Sequence, residues 1–221
     1  MRMGTDGHGV TTLVAFHGCP LRCQFCLNRQ CWNPDGIRLS LSPEELFDRV
    51  RKDELYFLAT RGGVTFGGGE PLLYGEYIKE VLELGAKKWH TTIETSLNVP
   101  LENLEVVSPC IDSFIIDIKD MNGAIYENYT GGDNRNVTGN LAWLAQQGRC
   151  DDVTIRVPNI PDFNTAEDVQ RSVRQLEEMG FSHFDVFTYH RFKKNAIANW
   201  VEEKKSEFRR NTFASGIIED N

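Results

Sequence analysis

Short apolar, β-branched runs alternate along this chain with longer stretches of helical periodicity. Thr11-Thr-Leu-Val-Ala-Phe16 predicts a first strand, Gly63-Val-Thr-Phe66 a second and Trp89 to Glu94 a third. Asp112-Ser-Phe-Ile-Ile-Asp-Ile118 predicts a fourth, Val153-Thr-Ile-Arg-Val157 a fifth and Phe184-Asp-Val-Phe-Thr-Tyr189 a sixth. Between them, Ser42-Pro43-Glu44-Glu45 reads as a helix start: a capping serine, a first-turn proline and early acids. That helix is expected to run to about residue 59. Further helices are expected over about 74–84, 100–107, 122–129, 138–147 and 165–179, the last capped by Thr165 and stopped by Gly180.

Strands and helices in strict alternation build parallel βαβ units with right-handed crossovers. Six units fit between residues 11 and 190. A closed eight-stranded barrel takes about 250 residues, more than the 221 present. The expected fold is α/β, a six-stranded open barrel or a doubly wound sheet. Both gather ligands at the carboxyl ends of the strands. No linker, repeat or low-complexity tract divides the sequence, so one domain over residues 1–221 is expected, with a core of about 11–190 and a short charged tail at 199–221.

Composition narrows the classes. The chain is 40% hydrophobic and 25% charged, with a formal net charge of -8. A general nucleic-acid binder would show a basic footprint instead. Residues 1–11 lack the apolar segment of a signal peptide, and no apolar run approaches a membrane span. The expectation is a cytoplasmic protein with no membrane or nucleic-acid partner. In that compartment six cysteines point to metal or catalysis rather than disulfides.

Polar residues collect at the predicted strand ends. Cys19, Cys23 and Cys26, spaced C-x3-C-x2-C, follow the first strand. Gly67, Gly68, Gly69 and Glu70 follow the second, and Glu94 and Thr95 end the third. Asp117 and Lys119 end the fourth, Arg156 lies on the fifth, and His190 follows the sixth. The cysteine loop has three readings: a structural zinc site with Cys31 as fourth ligand, a catalytic zinc site, or an iron–sulfur cluster with one iron lacking a protein ligand. The glycines would let backbone approach a ligand closely, and Glu70 would take a ligand ammonium.

Taken together, the cysteine spacing and Gly68-Gly69-Glu70-Pro71 resemble the radical S-adenosylmethionine (SAM) superfamily, and within it the glycyl-radical-enzyme activases. Gly18-Cys-Pro-Leu-Arg-Cys23, Cys26-Leu-Asn-Arg29, Phe114-Ile-Ile-Asp-Ile-Lys119 and Tyr129-Thr-Gly131 carry the same likeness. The resemblance implies a partial (β/α)6 open barrel and a [4Fe–4S] cluster on Cys19, Cys23 and Cys26. It places SAM against Gly68, Gly69 and Glu70 by its amino group, Lys119 by its carboxylate, and Asp117 and His190 around the ribose. Phe25 and Asn28 would lie near the adenine. Glu94, Thr95 and Asp117 match positions that form a monovalent-cation site in this group, although Glu94 replaces a shorter aspartate. Cluster and SAM carry the chemistry, so no side chain is singled out as catalytic.

The implied partners are a glycyl radical enzyme as protein substrate and a flavodoxin- or ferredoxin-type electron donor. The competing readings are a radical SAM enzyme acting on a peptide or small molecule, and a zinc-binding structural or interaction protein. Gly7-His8-Gly9 departs from the group's usual Gly-Pro-Gly. No second cysteine-rich insert lies between Trp32 and Ser42, so no auxiliary cluster is expected.

Overall fold

The computed structural model describes residues 1–3 and 7–189. The chain divides into two compact units, Met1–Thr188 and Tyr189–Asn221; the first is described here. His190 and the charged tail lie outside the described residues.

One sheet of seven strands follows chain order, β1 to β7. These are β1 (Arg2–Met3), β2 (Val10–Phe16), β3 (Gly63–Gly68), β4 (His90–Thr95), β5 (Ser113–Asp117), β6 (Val153–Asn159) and β7 (His183–Thr188). Strands β2 to β7 are all parallel, with registers such as Phe16 opposite Gly68 and Asp117 opposite Arg156. The expected six-stranded half-barrel is therefore observed. The two-residue antiparallel β1 was not anticipated; two residues carry no periodicity to read.

The helices are α1 (Pro43–Val50), α2 (Glu54–Thr60), α3 (Gly75–Glu83), α4 (Leu101–Val107), α5 (Gly123–Thr130), α6 (Arg135–Gln146) and α7 (Ala166–Glu178). The expected single helix from residue 42 to 59 is broken by a 3-10 turn at Arg51–Asp53. Its start is as predicted: Ser42 and Glu45 form a reciprocal capping box with Pro43 in the first turn. Thr165 and Asp168 do the same for α7.

Side chains alternate across each strand. Val64 and Phe66, Ile93, Phe114 and Ile116, and Ile155 are buried in the main hydrophobic core together with Leu104, Leu141, Leu144 and Leu176 from the helices. Burying each such side chain contributes roughly 1.5–3 kcal/mol. The opposite set is polar. Thr92 hydroxyl meets Ser113 hydroxyl at 3.0 Å, and Arg156 reaches Glu94 at 2.8 Å across the intervening β5. One face of the sheet thus builds the core, and the other supplies a polar interior beside the carboxyl-end loops.

Candidate active site

The cysteine loop leaves the end of β2 and is held by backbone hydrogen bonds on two sides. On one side, the amides of Arg22 and Gln24 donate to the carbonyls of Thr130 and Tyr129, at 2.8 and 3.1 Å. These carbonyls belong to the C-terminal turn of α5, which ends at Gly131 with φ +74°. Carbonyls in a helix's last turn have no intrahelical partner, so they are available to a passing loop. This explains why Tyr129-Thr-Gly131 belongs to the pattern.

On the other side, the Gly69 amide donates to Phe16 carbonyl at 2.9 Å and the Glu70 amide to Gly18 carbonyl at 2.8 Å. Asn28 donates its side-chain amide to Gly68 carbonyl at 2.8 Å. The cysteine loop and the glycine-rich loop are therefore one knitted unit. A Cβ at Gly69 would overlap the Gly18 carbonyl oxygen. The close approach that requires glycine here is loop against loop. Gly69→Ala should cost about 1–3 kcal/mol as the two loops are forced apart. A thermal melt of the variant, read with its capacity for iron, checks this; a wild-type melt would show the packing to be loose.

Cys19, Cys23 and Cys26 are free thiols and partly buried. Burial pushes the Cys19 thiol up to about 11, and the nearby charges of Glu70, Cys23 and Cys26 add to the rise. Cys23 is raised by burial as well, with Lys119 pulling the other way. The Asn28 backbone amide donates to Cys26 Sγ at 3.3 Å. Cys31 is buried and its thiol donates to Phe16 carbonyl at 3.4 Å, while burial and the neighbouring Cys26 both raise its pKa. Among the described residues no group of three or more His, Cys, Asp or Glu side chains is arranged to hold a metal ion. The donor set suits a cluster, in which each thiolate takes a separate iron.

Glu70 is wholly buried. Its Oε1 accepts from the Leu72 amide at 3.2 Å and Thr95 Oγ1 at 2.6 Å. Its Oε2 accepts from the Ser96 amide at 3.0 Å and Ser96 Oγ at 2.6 Å. Two carboxylate oxygens offer about four acceptor positions, and protein donors fill them. The direct ammonium contact expected of this side chain has no open oxygen in this geometry. The carboxylate instead fixes the turn after β4, where Leu97 is held at φ +57°. That is a strained conformation for a non-glycine residue. Leu97 amide donates to Thr95 Oγ1 at 2.9 Å, and Asn140 donates to both Leu97 and Val99 carbonyls at 2.9 Å. Burial raises the Glu70 pKa, against the pull of its four donors.

The three residues expected to share a cation go separate ways. Glu94 pairs with Arg156, which also lies 3.7 Å from Asp185. Thr95 hydrogen-bonds Glu70. Asp117 pairs with Lys119 at 3.2 Å. Neighbours on a strand face opposite sides, so Glu94 and Thr95 diverge. Phe25 packs edge-on against Tyr129 and Phe163, with ring centroids 5.9 and 5.6 Å away. Sequence reasoning missed Ser96, Phe163 and Asn140. None of them stands in a spacing that announces a role.

The superfamily model for radical SAM proteins matches residues 13–189. The chain belongs to the radical SAM superfamily. Its members use a [4Fe–4S] cluster and SAM, and the free thiol triad suits the cluster. The chain is 28% identical over 220 residues to a (2S)-3-sulfopropanediol dehydratase activating enzyme from Klebsiella oxytoca, covering 72% of this chain and 69% of that one. It is 37% identical over 131 residues to a pyruvate formate-lyase-activating enzyme from Clostridium pasteurianum, covering 59% and 54%. Streptococcus suis SuiB, solved with S-adenosylmethionine bound, shares the fold at TM-score 0.65 and 15% identity over 93% of this chain and 48% of that one. The chain thus spans about half the length of the last two proteins. Among the described residues no helix is long and apolar enough to cross a membrane.

Proposed function

We propose that this chain is a glycyl-radical-enzyme activase: it cleaves SAM reductively and takes a hydrogen atom from a backbone glycine of a partner enzyme. The observation that carries the reading is the knitted pair of loops, which fixes three thiols beside the glycine-rich turn at the carboxyl ends of β2 and β3. The relatives named above, both activating enzymes, support the same class.

Cys19, Cys23 and Cys26 would hold three irons of the cluster, leaving the fourth to the amino and carboxylate groups of SAM. When bound, this pair supplies a 5′-deoxyadenosyl radical from one electron and one broken C–S bond. The protein's share is position and exclusion of water. Gly68 and Gly69 would present backbone to the amino group, with Glu70 acting through the turn it fixes. Lys119, steadied by Asp117, would meet the carboxylate, and Asp117 would stand near the ribose. The Phe25–Tyr129–Phe163 cluster would shield the adenine side, with Asn28 tying that loop to Gly68.

The test mixes anaerobically reconstituted, reduced protein with SAM and candidate glycyl radical enzymes. A glycine-centred doublet in electron paramagnetic resonance, with deoxyadenosine formed in step, is expected. Deoxyadenosine without any protein radical would move the substrate to a peptide or small molecule. One zinc per chain and no iron would overturn the reading altogether.

A further inference from the structure

The amino ends of the strands, opposite the thiols, hold a cleft that the radical chemistry does not use. Parallel pairing sets Gly63 of β3 beside His90 of β4, so the turns leading into these two strands are neighbours. Between them lies a cleft of about 540 Å³, lined by Leu58, Arg61, Lys87, Lys88, His90 and Asp112. That is the size of a small-molecule site. Its inner side is fixed. Trp89 and Phe57 line it and are buried, and Trp89 stacks on Phe47 at 5.2 Å and meets Phe57 edge-on at 5.5 Å.

Three cations share this cleft with one acid, on a chain of net charge -8. Among the described residues the side chains of Arg61, Lys87 and Lys88 make no hydrogen bond or ion pair. Positive charge focused in a cleft without a counter-charge attracts an anion. Asp112 is committed elsewhere: its Oδ2 accepts from the Thr91 amide at 2.8 Å and Thr91 Oγ1 at 2.9 Å, and lies 3.9 Å from His90 Nδ1. The backbone adds a second observation. Arg61 ends α2 at φ +56°, in the left-handed region that glycine takes freely and other residues take at a steric cost. The bond that closes the helix runs from the Arg61 amide to Phe57 carbonyl, and glycine would make it equally well. What arginine adds at this position is a guanidinium on the cleft wall.

We propose that this cleft binds a phosphate-bearing small molecule of nucleotide size. A guanidinium fork and two ammonium groups match the charge and the oxygens of a diphosphate better than those of a carboxylate. Leu58, 48% exposed, gives the rest of the ligand an apolar wall. Strand β4 runs from His90 at this cleft to Thr95 beside Glu70, about 17 Å of extended chain, so this ligand and SAM occupy separate ends of the sheet.

The test titrates uridine diphosphate into reconstituted, SAM-saturated holoprotein by calorimetry, with uridine and succinate as controls. Uridine diphosphate should bind, more weakly as salt rises, and each control should bind about tenfold more weakly or worse. The double variant K87A/K88A should lose about tenfold or more in affinity for uridine diphosphate. R61G should lose as much while melting no lower than wild type, because relief of the left-handed backbone outweighs the extra freedom glycine gives the unfolded chain. No binding at low salt, unchanged affinity in either variant, or succinate bound as tightly as uridine diphosphate overturns the proposal. So does binding seen only when SAM is left out, which would put the probe in the SAM site.

Discussion

Cys23→Ala is expected to reduce SAM cleavage to background and to lower the iron bound after anaerobic reconstitution. With two thiolates left, two irons of a cube lack protein ligands. The fold should survive. The loop stays pinned through the Arg22 and Gln24 amides, neither of which depends on the Cys23 side chain. The lost packing of one partly buried thiol should cost about 1 kcal/mol. Cys31→Ala is the matched control: its thiol faces Phe16 carbonyl, so iron content and cleavage should remain. Iron per chain, deoxyadenosine yield and a thermal melt on both variants decide the matter. Full iron and full activity in Cys23→Ala would refute the ligand assignment. A Cys31→Ala protein that loses its metal would revive a four-thiolate site.

The second large effect belongs to Glu70→Gln. The substitution keeps the shape but places an NH₂ where an acceptor was, facing the Ser96 or the Leu72 amide. A buried amide left without an acceptor costs about 1–3 kcal/mol. The strained Leu97 turn loses part of what holds it, so SAM affinity should fall by about tenfold, the equivalent of 1.4 kcal/mol. Iron content should stay near normal, because Glu70 reaches the cysteine loop through its backbone amide.

The pH dependence has a definite sign. The folded-state pKa of Glu70 lies above its ordinary 4.5. Its stabilising contribution is therefore complete below that value and declines as pH rises through the folded pKa. Glutamine does not titrate, so the stability gap between wild type and variant should narrow with rising pH over that range. Denaturant melts on both proteins at several pH values measure it. A gap that widens with pH would mean the four donors outweigh burial and hold the carboxylate ionised. SAM affinity unchanged in the variant would remove the positioning role.

Much of the fold could be read from local pattern. Every parallel strand appears where a β-branched run stood, and α1 and α7 begin at their capping boxes. These signals are legible because they act within a few residues. The break at Arg51–Asp53 was not legible, since nothing in the polar run there forbids helix. The cysteine triad was equally plain, because three ligands within eight residues must lie close in any fold.

The roles of Glu70, Glu94, Thr95 and Arg22 are of another kind. Glu70 meets Ser96 across 26 positions, Glu94 meets Arg156 across 62, and Arg22 finds Trp32 only when the loop closes. By itself the sequence determined the order of strands and helices, the rim on which polar groups gather, and the three sulfur donors. The tertiary structure alone decided which carboxylate is enclosed by protein donors and which is paired with an arginine. Covalent spacing limits neighbours along the chain, whereas parallel pairing and side-chain alternation set who meets across it.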